Sequence, residues 1–364
     1  MTEAPGLLTE PLELQADIGD PASPPASSPA GADVLTDVLR VFRVGGAALL
    51  RGDFRAPWSL QAPSASSLLP VLHPEAPRSL LVVFHIVVEG ECWIEVEGKG
   101  RCELHAGDLV GFPRGDSHTM GSLPQRPAAA SVDCGPPTPI VSLFPPPPWR
   151  DLPRIAIDGD GTATRIVCFY LRCDELLHNP LLESLPAMLV ARPGERSATQ
   201  WPESSVRYLV REARRPCPGS GCVIARLAEL LFVEVLRMHI ERLDANATGW
   251  LAALADRRLA RALQAIHARP AEAWTADALA RQAGVSRSVL VQRFNEVLGT
   301  SPMRYVADWR LQLAAQALLS SATVAVAAER AGYASEEAFS RAFKRRTGES
   351  PGSWRRKRLG SEGC

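Results

Sequence analysis

Much that would mark a membrane, secreted or metal-clustered protein is missing from these 364 residues. No stretch approaches the roughly 18 uninterrupted apolar residues of a membrane span. The N-terminus, MTEAPGLLTEPLEL, has neither a basic n-region nor a long apolar segment, so no secretory signal is visible. The expectation is a cytoplasmic protein without a membrane partner. The eight cysteines (Cys92, Cys102, Cys134, Cys168, Cys173, Cys217, Cys222 and Cys364) form no C-x-x-C pair. That argues against a zinc knuckle or a thioredoxin-type site, and free thiols are expected. Net charge is also missing, because 40 Lys+Arg balance 40 Asp+Glu. The apolar share of 46% and charged share of 22% are ordinary for soluble globular domains, and the length accommodates two or three of them.

The zero conceals a split. Residues 251–364 hold 18 basic and 10 acidic side chains, or +8, which leaves −8 for the remainder. Such asymmetry points to one nucleic-acid-binding end. The same end contains one pattern twice. The first copy runs Ala280-Arg-Gln-Ala-Gly284-Val-Ser286, then Phe294, Gly299, Pro302 and Tyr305. The second runs Ala328-Glu-Arg-Ala-Gly332-Tyr-Ala-Ser335, then Phe343, Gly348, Pro351 and Trp354. The offset is 48 residues up to the glycine and 49 after it. Each copy reads as helix, glycine turn, capped helix, which is the helix-turn-helix plan. A lone match would be weak; repetition of the whole pattern is not.

The repeat predicts its own local structure. One helix spans Leu251 to Ala268 and stops before Pro270. Thr275 caps the next, which packs through Leu279, Ala280 and Ala283. Gly284 supplies a positive-φ turn, and Ser286 caps a helix from Arg287 to Leu298. Leu290, Phe294 and Leu298 face the core, while Arg287, Ser288, Val291, Gln292 and Asn295 face the major groove. In the second copy Ser335 is the cap and Phe339 and Phe343 are core. Glu336, Glu337, Ser340, Arg341, Lys344 and Arg345 are its candidate DNA-binding residues. Gln292 suits adenine, Arg341 guanine and Glu337 cytosine. Lys344, Arg345 and Arg346 suit phosphates, with Arg355, Arg356, Lys357 and Arg358 extending the run. Between the heads Ser301 caps a connector from Pro302 to Leu319 with a stripe of Val306, Leu313, Ala317 and Leu318. Such a rod is about 27 Å long, so two readers would sit about 34 Å apart, near one DNA turn. The two reading faces differ, so one chain's site should be asymmetric.

Upstream, residues 1–32 are Pro-, Ala- and Ser-rich and read as a disordered tail. Asp33 to Val44 has helix-like apolar spacing. Short apolar or alternating runs from Gly45 to about Ile166 read as an antiparallel sandwich or barrel. Pro145 to Pro148 reads as part of an insertion loop. From Glu175 the pattern turns helical through Leu185, then at Trp201–Arg215 and Cys222–Leu243. The last is apolar over a wide arc, which predicts cover on two sides, by its own barrel and by a partner subunit.

Residues 251–358 resemble the DNA-binding domain of the AraC/XylS family of transcriptional regulators, most specifically in AERAGYASEEAFSRAFKRRTGESPGSW (Ala328–Trp354). The upstream region resembles the cupin-type sensor of one branch of that family. The matching residues are Ala56-Pro57-Trp58, Val88-Glu-Gly-Glu-Cys-Trp93, Gly107-Asp-Leu-Val and Pro113-Arg-Gly. The resemblance implies an α+β multidomain chain: a cupin-like ligand-sensing barrel (33–190), a helical dimerisation or linker region (191–250) and an all-α double helix-turn-helix domain (251–358). It implies promoter DNA, a second copy of the chain, a small-molecule effector and, for an activator, RNA polymerase as partners. Trp58, His85, Trp93 and His118 are the candidate effector-binding residues. Metal-binding cupins carry two His and a Glu where Ser79–His85 holds one His, so no metal, cofactor or catalytic residue is assigned. The alternative is a cupin-type metal-dependent enzyme fused to a DNA-binding module.

Overall fold

The computed structural model describes residues 32–42, 45–72, 79–123, 136–145, 152–173, 177–192, 201–214, 217–244, 246–320 and 322–359. The expected tail before residue 32 and most of the Pro145–Pro148 run lie outside them. Helix α1 (Ala32–Phe42) leads into β1 (Gly45–Arg55), β2 (Ser59–Ala62), α2 (Ala65–Leu72), β3 (Leu80–Glu89) and β4 (Glu91–Val96). Then come β5 (Gly100–His105), β6 (Leu109–Phe112), β7 (His118–Gly121), β8 (Thr138–Pro139), β9 (Arg154–Ile157) and β10 (Ala163–Cys173). Helix α3 (Pro180–Ser184) and β11 (Leu189–Ala191) close this part, followed by α4 (Trp201–Arg214) and α5 (Ser220–Glu241).

The strands form two sheets, ordered β11-β6-β3-β10-β1-β9 and β5-β4-β7-β2-β8. Pairing is antiparallel except at the edges, where β9 runs parallel to β1 and β8 parallel to β2. One core lies between the sheets and includes Leu60, Val83, Ile94, Phe112, Met120 and Cys168. A second lies behind the larger sheet, where Phe84 stacks on Phe169 at 5.1 Å and meets Phe232 of α5 edge-on at 5.9 Å. Strand β3 (LLVVFHIVVE) is therefore buried on both faces, and its apolar run does not alternate. Helix α5 lies against β1: a Cβ on Gly46 would come within 2.3 Å of the Ala225 carbonyl oxygen, and the Gly46 N–H donates to Glu229 Oε1 at 3.0 Å.

Two expectations need correction here. The helix read from Glu175 through Leu185 is, among the described residues, only α3, which starts late because the Asn179 side chain caps it by accepting the Leu182 N–H. The single helix read over Leu251–Ala268 is two, α6 (Trp250–Ala255) and α7 (Arg257–Ala268). Asp256 breaks it: its carboxylate accepts the N–H groups of Arg258 and Leu259 as the cap of α7, and pairs with Arg293 at 2.8 Å.

The remainder is helical: α8 (Ala276–Ala283), α9 (Arg287–Leu298), α10 (Pro302–Leu319), α11 (Val324–Arg330), α12 (Glu336–Thr347) and α13 (Pro351–Leu359). The core behind the larger sheet continues without a break into α6–α9, as far as Tyr305 and Trp309 of α10. Helices α11–α13 close a separate core on the far half of α10, around Leu318, Phe339, Phe343 and Trp354. The stripe expected on α10 is too narrow. Tyr305, Trp309, Leu311, Ala314 and even Asp308 and Gln312 are buried as well, because helices pack around the rod from several sides.

Candidate nucleic-acid interface

The repeat holds at the level of atoms. Gly284 and Gly332 sit at φ +70° and +71°, a conformation a side chain would strain. Each is followed by the same closing bond, Val285 N–H to the Ala280 carbonyl and Tyr333 N–H to the Ala328 carbonyl, both 3.0 Å. This is the long bond of a Schellman turn. Ser286 and Ser335 then cap the next helices by accepting from Val289 (3.4 Å) and Ala338 (3.1 Å). Such a cap contributes about 1 kcal/mol. Thr275 and Ser301 cap α8 and α10 in the same way. Phe294 meets Tyr305 edge-on at 6.3 Å, as Phe343 meets Trp354 at 5.4 Å. Leu290 and Phe294 are buried as expected; Val297 takes the third buried position, and Leu298 is half-buried.

On α9, Arg287, Ser288, Gln292 and Asn295 are exposed and Val291 is half-buried, all on one side. Gln292 donates to Glu296 at 2.8 Å and Arg287 lies 3.5 Å from Asp277, so both side chains have partners within the first head. On α12, Glu336, Glu337, Arg341, Lys344 and Arg345 are exposed and Ser340 is half-buried. Among the described residues Arg341, Lys344 and Arg345 have no carboxylate within ion-pair distance, although the Arg341 charge helps to lower the pKa of Glu337. The hydrogen bond from Ser335 lowers the pKa of Glu337, keeping it an acceptor. Arg346, read as part of the phosphate-binding run, instead turns inward, 3.2 Å from Asp308 and donating to the Leu177 carbonyl.

Sequence reasoning missed this inward cluster. Gln312 is 1% exposed, and its Oε1 accepts the N–H groups of Leu177 (2.7 Å) and His178 (3.2 Å). Leu177 also packs on the second head's core, so a turn from the strand-bearing part touches that head directly. The available signal was Arg304, Asp308 and Gln312 at i, i+4 and i+8 along α10.

The upstream candidates divide. His85 and His118 meet in a small cavity, partly open to solvent, lined mainly by Leu49, Leu50, Val83, Ile140 and Phe144. His118 Nδ1 faces the Asp116 carbonyl at 3.0 Å, the two Nε2 atoms are 2.7 Å apart, and His85 Nδ1 faces Cys168 Sγ at 2.7 Å. One assignment satisfies all three contacts: Cys168 donates to His85, His85 to His118, and His118 to the carbonyl. Both rings are then neutral. Burial pushes His118 down to about 4 and, together with His118 itself, holds His85 well below its usual value. Burial raises the Cys168 thiol, which keeps it protonated.

The tryptophans do not join them. Residues 92, 94 and 96 of β4 point inward, so Trp93 faces out, covered by the Arg101 guanidinium at 4.1 Å. Trp58 packs on Phe54 at 4.7 Å within the inter-sheet core, away from the cavity lining. Among the described residues no group of three His, Cys, Asp or Glu is placed to hold a metal ion.

Residues 33–241 match the family described as Cupin, and 279–357 match the family described as Helix-turn-helix domain. A putative AraC-like transcription regulator of Streptomyces lividans is 35% identical over 78% of this chain and 88% of its own length. The chain belongs to the AraC family of transcriptional regulators. A second relative is the RCS-specific HTH-type transcriptional activator RclR of Escherichia coli K12, 35% identical over 54% of this chain and 69% of its own. Among solved structures, the DNA-binding domain of AdpA in complex with a target DNA is 28% identical over 29% of this chain and 97% of that one, with a TM-score of 0.27. As an AraC-family regulator, the chain is a sequence-specific DNA-binding protein with a cupin sensor domain. Among its described residues no helix is long and apolar enough to cross a membrane.

Proposed function

We propose that this AraC-family regulator acts as a cytoplasmic, homodimeric transcriptional activator, switched by a small molecule held in its barrel (33–190). In this reading residues 191–250 carry the dimer contact and 251–358 bind DNA. The observation that carries it is the pair of capped helices, α9 and α12, with different exposed polar faces in the basic third of the chain. Gln292 and Asn295 would read one major-groove segment; Arg341 and Glu337 would read the next. Arg341→Ala is expected to weaken specific binding by about 1–3 kcal/mol and relax one base position. Unchanged base preference in a binding-site selection would refute that role. Activation, which implies contact with RNA polymerase, is supported by the name of the E. coli relative.

For the dimer, the support is an apolar side of α5: Leu230 is 49% exposed, with Val223 and Leu227 half-buried beside it at helical spacing. Sedimentation should give twice the 39.3 kDa chain mass, and a monomer at micromolar concentration would rule the dimer out. For the switch, the cavity suits a small, mainly apolar ligand with one polar group towards His85 and His118. The Leu177–His178 turn on Gln312 is a route from barrel to second head. Gln312→Ala is expected to erase the ligand-dependent difference in DNA affinity without abolishing ligand binding. Persistence of the full difference in that variant would exclude this route.

A further inference from the structure

The two heads are joined by more than the α10 rod. Arg310, half-buried on α10, donates from Nε to the Pro270 carbonyl at 2.7 Å and from Nη2 to the Glu272 carbonyl at 2.5 Å. Pro270–Glu272 is the turn between α7 and α8, in the first head. That turn is braced on its own account. Arg269 pairs with Glu272 at 2.8 Å and covers Trp274 at 5.0 Å, and the Trp274 indole N–H donates to the Arg269 carbonyl at 2.9 Å. The second head rests on the same turn. A Cβ built on Gly332 would lie 2.6 Å from Ala271 Cα and 2.7 Å from its carbonyl oxygen. The helix-turn-helix glycine of the second head therefore meets the first head backbone to backbone.

We propose that Arg310, acting through the Ala271–Gly332 contact, is a positioning residue that sets the spacing and rotational phase of the two DNA subsites read by one chain. It makes the protein specific for the length of the operator rather than for a base. The inference rests on the reading that both heads bind DNA. Each base pair inserted between subsites moves the second by about 3.4 Å and turns it by about 35°. A rod fixes distance along its axis. The second head is packed on the far half of that rod around Leu318, Phe339 and Phe343, and the Arg310 and Ala271 contacts fix the near half of the rod and the second head against the first. The guanidinium holds the turn by a planar two-point grip that an ammonium cannot reproduce. A rigid link gives a high effective concentration at one spacing and almost none at others, whereas a loose link spreads it.

The experiment takes the operator selected by the full wild-type chain and varies the gap between subsites from −2 to +2 base pairs. The wild type is expected to lose about 30-fold in affinity at ±1, and Arg310→Ala less than about 5-fold, with base preference unchanged. Arg310→Lys should fall between them. Gly332→Ala, whose Cβ would lie 2.6 Å from Ala271 Cα, wedges the contact and should broaden or displace the optimum; it also carries the test if Arg310→Ala does not fold. A sharp wild-type profile superimposed on those of the folded variants overturns this inference alone. A wild type indifferent to the gap, or protecting one groove only, overturns the two-headed reading and this inference with it.

Discussion

Taking the protein from pH 7 to pH 5 is expected to lower its unfolding free energy by about 2 kcal/mol for each buried imidazole. Four contribute. Burial pulls His118 and His178 down to about 4 and His267 to about 3, and burial with the neighbouring His118 lowers His85. The sign follows from proton counting. An unfolded chain binds protons below the ordinary value of about 6.5, while these folded rings stay neutral until about 4, so stability falls with pH across that window. His85 and His118 share one hydrogen bond and titrate as a unit, so the total is smaller than four independent terms. Near His178, Asp308 favours the charged ring, while burial, Arg346 and Arg304 oppose it. Among the carboxylates Glu183 works against the trend, because burial raises it and the folded chain takes up its proton first as pH falls. Burial alone would raise Asp53 and Asp256, but Arg154 and Arg165 around the first and Arg293 beside the second hold both below the usual value. Urea midpoints at pH 7, 6 and 5 measure the effect, and a flat series would mean that the rings titrate normally.

Tyr305→Phe is expected to destabilise the first head and its junction with the barrel by about 2–5 kcal/mol. The Tyr305 hydroxyl accepts from the Trp250 indole N–H at 2.8 Å and lies 2.9 Å from His267 Nε2. All three side chains are nearly or wholly buried. Removing one oxygen leaves two polar atoms without water or partner, each costing about 1–3 kcal/mol, and the ring that remains fills the same space. Trp250 starts α6, His267 lies on α7 and Tyr305 on α10, so one oxygen ties three helices. Denaturant unfolding reads the loss. A change under about 0.5 kcal/mol would mean that the two atoms find other partners.

Fixed local rules made the heads readable in advance. Capping reaches three residues and a glycine turn reaches six, so Thr275, Ser286, Ser301 and Ser335 announced their helices without knowledge of the rest. Offset repetition then paired Phe294 with Phe343, and the charge split marked the DNA-binding end. Where a residue's role depends on what packs against it from afar, the linear pattern misled. Strand β3 reads as an unbroken apolar run because a second sheet covers one face and α5 the other. Arg293, 37 residues on, pairs with the Asp256 carboxylate that caps α7, a contact with no mark in the local pattern. Trp93 matches the cupin pattern, yet the pleat of β4 turns it outward.

By itself the sequence determined the two heads, their caps, their unequal exposed polar faces and the basic end of the chain, because each is written in residue types and spacings along the chain. The tertiary structure alone decided how those heads are held. It placed Gln312 under a turn 135 residues away, Arg310 across the carbonyls of the first head, and the Gly332 backbone against Ala271. It also joined His85 to His118 and Cys168 across 33 and 83 residues of separation. Such contacts depend on how chain segments close over one another, and spacing along the chain does not encode that closure.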